Sequence, residues 1–208
     1  INTMNIDDMQ SKGLSLSADD IYNVNKSSLK DAVVALSWGS CTGEIISKEG
    51  LLLTNHHCAD DLIQFHSTTE KDYLKNGFWA MNKSEELANE NLTASILVRI
   101  ENVTERVFSK INDSNTEDDR RKKIRAVANE ISNEISDTSH YTSRLRSFYG
   151  GNEFYLFIYE TFLDVRLVGA PPSSIGKFGG DTDNWMWPRH TGDFTCLLYT
   201  SPSPRDLP

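Results

Sequence analysis

Histidine and cysteine meet in the run Leu53-Thr54-Asn55-His56-His57-Cys58, at the end of an apolar stretch, with Cys41-Thr42-Gly43 a short hairpin upstream. An imidazole can take a proton from a hydroxyl near neutral pH and return it to a leaving amine. That chemistry needs a carboxylate behind the ring, which fixes its tautomer and stabilises the imidazolium. His57, next to the cysteine, is the candidate base. On an extended strand end adjacent side chains point to opposite sides, so only one of the two rings faces a cleft. His56 is then expected to pack inward or to bond to the backbone. A bare His-His pair would read as two structural histidines; Thr54-Asn55 and Cys58 beside it, with Cys41 upstream, weigh against that. No metal is expected, because the adjacent side chains of His56, His57, Cys58 and Asp60 converge poorly on one ion and no partner pair with ligand spacing stands elsewhere. No cofactor is implied.

The arrangement resembles that of trypsin-like serine proteases, whose base leaves the end of a buried strand at a turn tied back by a disulfide. The resemblance implies a hydrolase with a Cys41–Cys58 bridge. The two cysteines flank a hairpin and do not form a C-x-x-C unit, which also favours a bridge; two reduced, buried cysteines are the alternative. A bridge requires an oxidising compartment and contributes roughly 3 kcal/mol on a chain-entropy estimate.

A second dense block is Gly179-Gly180-Asp181-Thr182-Asp183-Asn184-Trp185-Met186-Trp187-Pro188-Arg189-His190-Thr191-Gly192-Asp193-Phe194. Alone it could be an ordered loop with an Arg–Asp pair and tryptophans as core plugs. Its density of polar and aromatic groups is more typical of a recognition surface. Together, TNHHC with CTG upstream and GDTDNWMWPRHTGDF resemble the bacterial dipeptidyl-peptidase family that includes types 7 and 11. These are serine exopeptidases with a trypsin-like double barrel. The runs DYLKNGFWAM and LVRIENVT are similar to that family too, and the likeness runs in register over about residues 30–195.

The resemblance implies catalytic roles for His57 as base and for Asp193 as the orienting carboxylate, with Asp181 and Asp183 as competitors for the latter. Asn184 and Trp185 match the residues that grip the free N-terminal amine of a substrate. An amide oxygen accepts from the ammonium and an indole face adds cation–π attraction. Such a clamp makes an enzyme release dipeptides from an N-terminus. Oligopeptides are the expected partners, a homodimer is left open for the full-length protein, and a periplasmic, cell-surface or secreted location is expected.

The chain also departs from that family. Ser173-Ser174 precede Ile175-Gly176, and there is no Gly-x-Ser-Gly turn to hold a nucleophile. The resemblance places the nucleophilic serine, the oxyanion hole and the residues that choose the second side chain further downstream. The expectation is therefore an N-terminal fragment, inactive alone. From Cys196 the Ser/Pro-rich sequence reads as a non-native tail over residues 196–208, with Cys196 unpaired. A trypsin-like endopeptidase fragment and a non-catalytic binding module on a protease-like barrel are the alternatives.

Strands must position these residues. Asp31 to Trp38 reads as a buried strand, and Thr42 to Ser47 and Leu51 to Asn55 as two more, joined by a Lys48-Glu49-Gly50 turn with Gly50 at positive φ. Ala59 to Phe65 and Thr69 to Trp79 read as short helices, and Ala94 to Val103 as a strand. Within residues 104–148, Val107, Ile111, Ile124, Val127, Ile131 and Ile135 fall at helical spacing, giving two helices broken near Asp113-Ser114-Asn115. Glu153 to Tyr159 and Thr161 to Val168 read as strands. The predicted fold is mainly β with helical insertions: the incomplete first barrel of a trypsin-like antiparallel double barrel. Residues 1–195 form the N-terminal part of a peptidase domain, with a helical insert at about 104–148.

Bulk properties agree. Hydrophobic content of 38% over 208 residues suits a globular protein with an ordinary core. A net charge of −9 argues against nucleic acid as a partner. No stretch approaches the roughly 20 apolar residues that span a bilayer. The chain opens at Ile1 with no positively charged or apolar leader, as a mature form or a fragment would.

Overall fold

The computed structural model describes residues 5–23, 26–111, 116–138, 141–176 and 192–200. Helices α1 (Ile6–Ser11) and α2 (Ala18–Ile21) lead to strands β1 (Val33–Leu36), β2 (Cys41–Ile45) and β3 (Leu51–Thr54). Next come α3 (Asp60–His66), α4 (Tyr73–Asn76), β4 (Phe78–Trp79), β5 (Leu87–Ala88) and β6 (Ala94–Asn102). They are followed by α5 (Thr104–Phe108), α6 (Glu117–Thr138), β7 (Tyr141–Phe148), β8 (Glu153–Phe162), β9 (Val165–Ala170), α7 (Ser173–Gly176) and β10 (Thr195–Tyr199). No helix among the described residues is long and apolar enough to cross a membrane. The predicted class, antiparallel β with helical insertions, is the one found.

The chain divides into two compact units, Ile1–Asp31 with Ile96–Thr161, and Ala32–Ser95 with Phe162–Pro208. In the first, the strand order is β6-β8-β7. Helix α6 begins after Thr116, whose Oγ1 accepts from the Asp119 amide at 3.2 Å and caps one of the orphan donors. Glu117, Asp118 and Asp119 crowd its first turn, where the helix dipole favours negative charge. Its apolar stripe packs Val127 and Ile131 against Phe154, Leu156 and Ile158 of β8 and Val107 of α5, with Ile124 and Ile135 at the margin. Strand β8 alternates because every second residue joins this core.

Residues 141–148 correct the sequence reading. They were expected to be helical and instead form β7, paired from Tyr141↔Glu160 to Phe148↔Glu153. The turn after β7 carries positive φ at Tyr149, Gly150 and Gly151, which reverses the chain. Arg144 and Arg146 give this strand the composition of the charged helix before it, while Tyr141 and Leu145 pack on the helix-bearing core.

In the second unit the order is β4-β9-β10-β3-β2-β1, with β5 also pairing β9; among the described residues β4 and β1 do not pair with each other, so this part of the sheet is not closed. Its buried residues include Val34, Leu36, Leu52, Ile63, Leu167 and Leu197. The first strand is shorter than predicted. Ser37 and Trp38 take φ of 42° and 61°, ahead of Gly39 at 96°, so the chain turns after Leu36. The predicted helix at 69–79 shrinks to α4, and Phe78 and Trp79 add to β9 as an edge strand. The turn before β3 is as predicted, with Gly50 at φ 86°.

The largest difference concerns residues 196–199. Expected to lie outside the fold, they form most of β10, between β3 and β9. Leu197 is 1% exposed there. Cys-Leu-Leu-Tyr is itself a good strand sequence; the Ser/Pro bias that suggested a tail begins after it, and prolines 202 and 204 fall beyond the described residues.

Candidate active site

The pairing of β3 with β10 builds the site. In this antiparallel ladder Thr54, the last residue of β3, lies opposite Thr195, the first of β10. The chain therefore leaves β3 into Asn55-His56-His57 at the same sheet end where Gly192-Asp193-Phe194 enters β10. A slip of one residue would turn every side chain of the strand to the other face, so burial of Leu52 and Leu197 fixes the register. Thr54 adds a bond from Oγ1 to the Thr42 carbonyl of β2, 2.7 Å.

Residues His56–Cys58 form one 3₁₀ turn and not an extended end. The Cys58 amide donates to the Asn55 carbonyl at 3.2 Å and that of Ala59 to His56 at 2.9 Å. A disulfide joins Cys58 to Cys41, at the start of β2. Cys196 is a free thiol, half-buried, with its pKa pushed up by that burial. A raised pKa keeps the nucleophilic thiolate scarce. Protein made in an oxidising compartment and denatured without reductant is accordingly expected to titrate with a single reactive thiol; three would mean that the bridge does not form in solution.

The turn closes on one carboxylate. Asp193 Oδ1 accepts from the amides of His56 at 2.6 Å and of His57 at 3.4 Å. Its Oδ2 lies 3.3 Å from His57 Nδ1 and accepts from Asn55 Nδ2 at 3.1 Å. An ionised carboxylate only accepts, so the proton of this imidazole belongs on Nδ1, leaving Nε2 with a lone pair. The Asp193 side chain is 9% exposed and that of His57 61%: the acid is covered and the base is open. Among the described residues nothing hydrogen-bonds His57 Nε2. The arrangement can accept a proton at Nε2 and hold the resulting imidazolium against a charge on the far side of the ring.

His56 goes the other way. Its ring is fully buried, with Nε2 3.3 Å from Ser173 Oγ and 3.5 Å from Asp60 Oδ1. Among the described residues no group of three or more His, Cys, Asp or Glu could hold a metal ion. Asn184 and Trp185, with Asp181 and Asp183, lie outside the described residues. Sequence reading missed Asn55, Ser173 and Asp60 as supports of the turn. Asn55 had a local signal, an amide at the exit of a strand, and Asp60 stands four residues after His56; Ser173 alone is brought in by tertiary structure.

Comparison with known proteins gives the site its context. The Asp/Glu-specific dipeptidyl-peptidase of Flavobacterium psychrophilum is 50% identical over 197 residues, which cover 95% of this chain and 28% of that protein. Dipeptidyl-peptidase 7 of Capnocytophaga gingivalis is 48% identical over 201 residues, covering 96% of this chain and 28% of its own. The crystal structure of Porphyromonas endodontalis DPP11 in complex with the dipeptide Arg-Asp superposes with a TM-score of 0.82 at 47% identity, over 95% of this chain and 29% of that one. The chain thus spans 28% of the length of these two curated relatives. The family described as Peptidase S46 matches residues 1–206, and the chain belongs to that family.

Proposed function

We propose that this chain supplies the acid–base half of a serine dipeptidyl-peptidase active site, completed by the length its relatives have beyond it. The observation that carries this reading is the Asp193 carboxylate, held by the turn amides and set against His57 Nδ1. His57 takes the hydroxyl proton of the attacking serine at Nε2 and returns it to the leaving amine. Asp193 stays ionised and stabilises the imidazolium between the two transfers. Ser173, engaged with His56 and not with His57, is not that serine. The substrates are oligopeptides with a free amine, gripped by Asn184 and Trp185. The disulfide supports a periplasmic, cell-surface or secreted location. The two activities named for the relatives match at 50% and 48% identity, so this segment does not separate their side-chain preferences.

The test uses the full-length protein and mass spectrometry of its products from an oligopeptide with a free amine. Dipeptides released in steps from the N-terminus are expected. Asn184→Ala is expected to lower kcat/KM about 10- to 100-fold, the range of a hydrogen bond to a charged group. The ammonium must be stripped of water to enter the site, and the amide oxygen offsets part of that cost. Products cut internally, with no effect of Asn184→Ala, would replace this reading with an endopeptidase.

A further inference from the structure

His56 is a costly residue to bury. A polar ring taken out of water costs free energy unless partners replace that water, and an aliphatic side chain would fill the space without this demand. The fold nevertheless builds around it. Its ring is fully buried. Ser173, the first residue of α7, sets its hydroxyl 3.3 Å from Nε2, and Asp60, the first residue of α3, sets Oδ1 3.5 Å from the same nitrogen. Gly176 closes the other side, where an added Cβ would lie 2.5 Å from His56 Cδ2, so only glycine allows the contact. Helix α7 also grips the other half of the site: the Ile175 carbonyl accepts from the Gly192 amide at 3.1 Å, one residue before Asp193. Meanwhile the His56 amide donates to the Asp193 carboxylate at 2.6 Å.

One residue thus ties its turn to α3 and α7 by its side chain and holds the acid by its backbone. We propose that His56 is a positioning residue for the Asp193–His57 pair: its ring, anchored by Ser173 and Asp60 and seated on Gly176, fixes the turn whose amide sets the Asp193 carboxylate. Helix α7 then acts as a bracket, holding the His56 ring with Ser173 and Gly176 and the approach to Asp193 with the Ile175 carbonyl. The kinetic part of this inference rests on the peptidase reading above; its spectroscopic part does not.

The experiment takes the full-length protein with two variants, Ser173→Ala and His56→Ala, and two measurements. The first is the NMR resonance of the His57 Nδ1 proton, which reports the bond to Asp193 and needs no substrate. It is expected to move upfield in Ser173→Ala and further in His56→Ala, with the backbone amide spectrum otherwise retained. The second is kcat per titrated active site. Misplacing a catalytic group by about 1 Å can cost 10²-fold, so kcat is expected to fall about 10-fold in Ser173→Ala and about 100-fold in His56→Ala. A purely structural role would lower the number of active sites and leave the rate per site and the proton resonance in place. A proton resonance unmoved in folded Ser173→Ala overturns the proposal, and this variant decides alone if His56→Ala does not fold. A resonance that moves in a protein that releases no dipeptide would leave His56 its role and remove the peptidase reading.

Discussion

Replacing Asp193 by asparagine in the full-length protein is expected to lower kcat about 10⁴-fold with little change in KM. The two residues have nearly the same shape, so the turn amides of His56 and His57 keep an oxygen to donate to. The change falls on the other arm. Where Asp193 Oδ2 now faces His57 Nδ1 at 3.3 Å, asparagine presents an NH₂ group. Two donors cannot face each other, so the ring carries its proton on Nε2 and cannot take one from a hydroxyl there. The imidazolium also loses the charge that stabilises it. Binding of a peptide does not use this carboxylate, which leaves KM in place. The measurement is kcat and KM on a chromogenic dipeptidyl amide. A loss below tenfold would mean that Asp181 or Asp183 orients the base.

Removing the Cys41–Cys58 bridge, as Cys41→Ala with Cys58→Ala, is expected to cost about 3 kcal/mol of stability, from the entropy of the unfolded chain that the bridge removes. The bridged residues are 17 apart in sequence. The closed loop holds β2, β3 and the histidine turn, so the loss falls on the elements that carry the site. Denaturant unfolding of wild type and double variant at matched protein concentration reads this directly. A difference below about 1 kcal/mol would show that sheet pairing alone holds the turn.

The parts legible in the sequence were those with a local physical signal. Leu51 to Thr54 is an apolar run ending in polar residues, and Gly50 marks the turn before it. The stripe from Ile124 to Ile135 repeats at the period of a helix. The parts that were not legible depend on distant partners. Tyr141 to Phe148 carries arginines typical of the charged helix before it and becomes a strand because β8 pairs with it. Residues 196–199 were judged by the composition that follows them, yet they fill the gap between β3 and β9. Among the candidate site residues, His57 could be proposed from its neighbours. Asp193 came from resemblance, and the ladder register that brings it to the ring, Thr54↔Thr195, has no signature in either segment alone. His56 was expected to turn inward, but its bond to Ser173 could not be read, because that partner lies 117 positions away.

One comparison tests the central claim most directly: the full-length protein offered the same oligopeptide with a free and with an acetylated N-terminus, its products followed by mass spectrometry. Acetylation removes the positive charge that Asn184 and Trp185 are proposed to grip and leaves every peptide bond intact. The account predicts successive dipeptides from the free peptide, none from the acetylated one, and no products from either in His57→Ala. Equal cleavage of both peptides by the wild-type protein would contradict it.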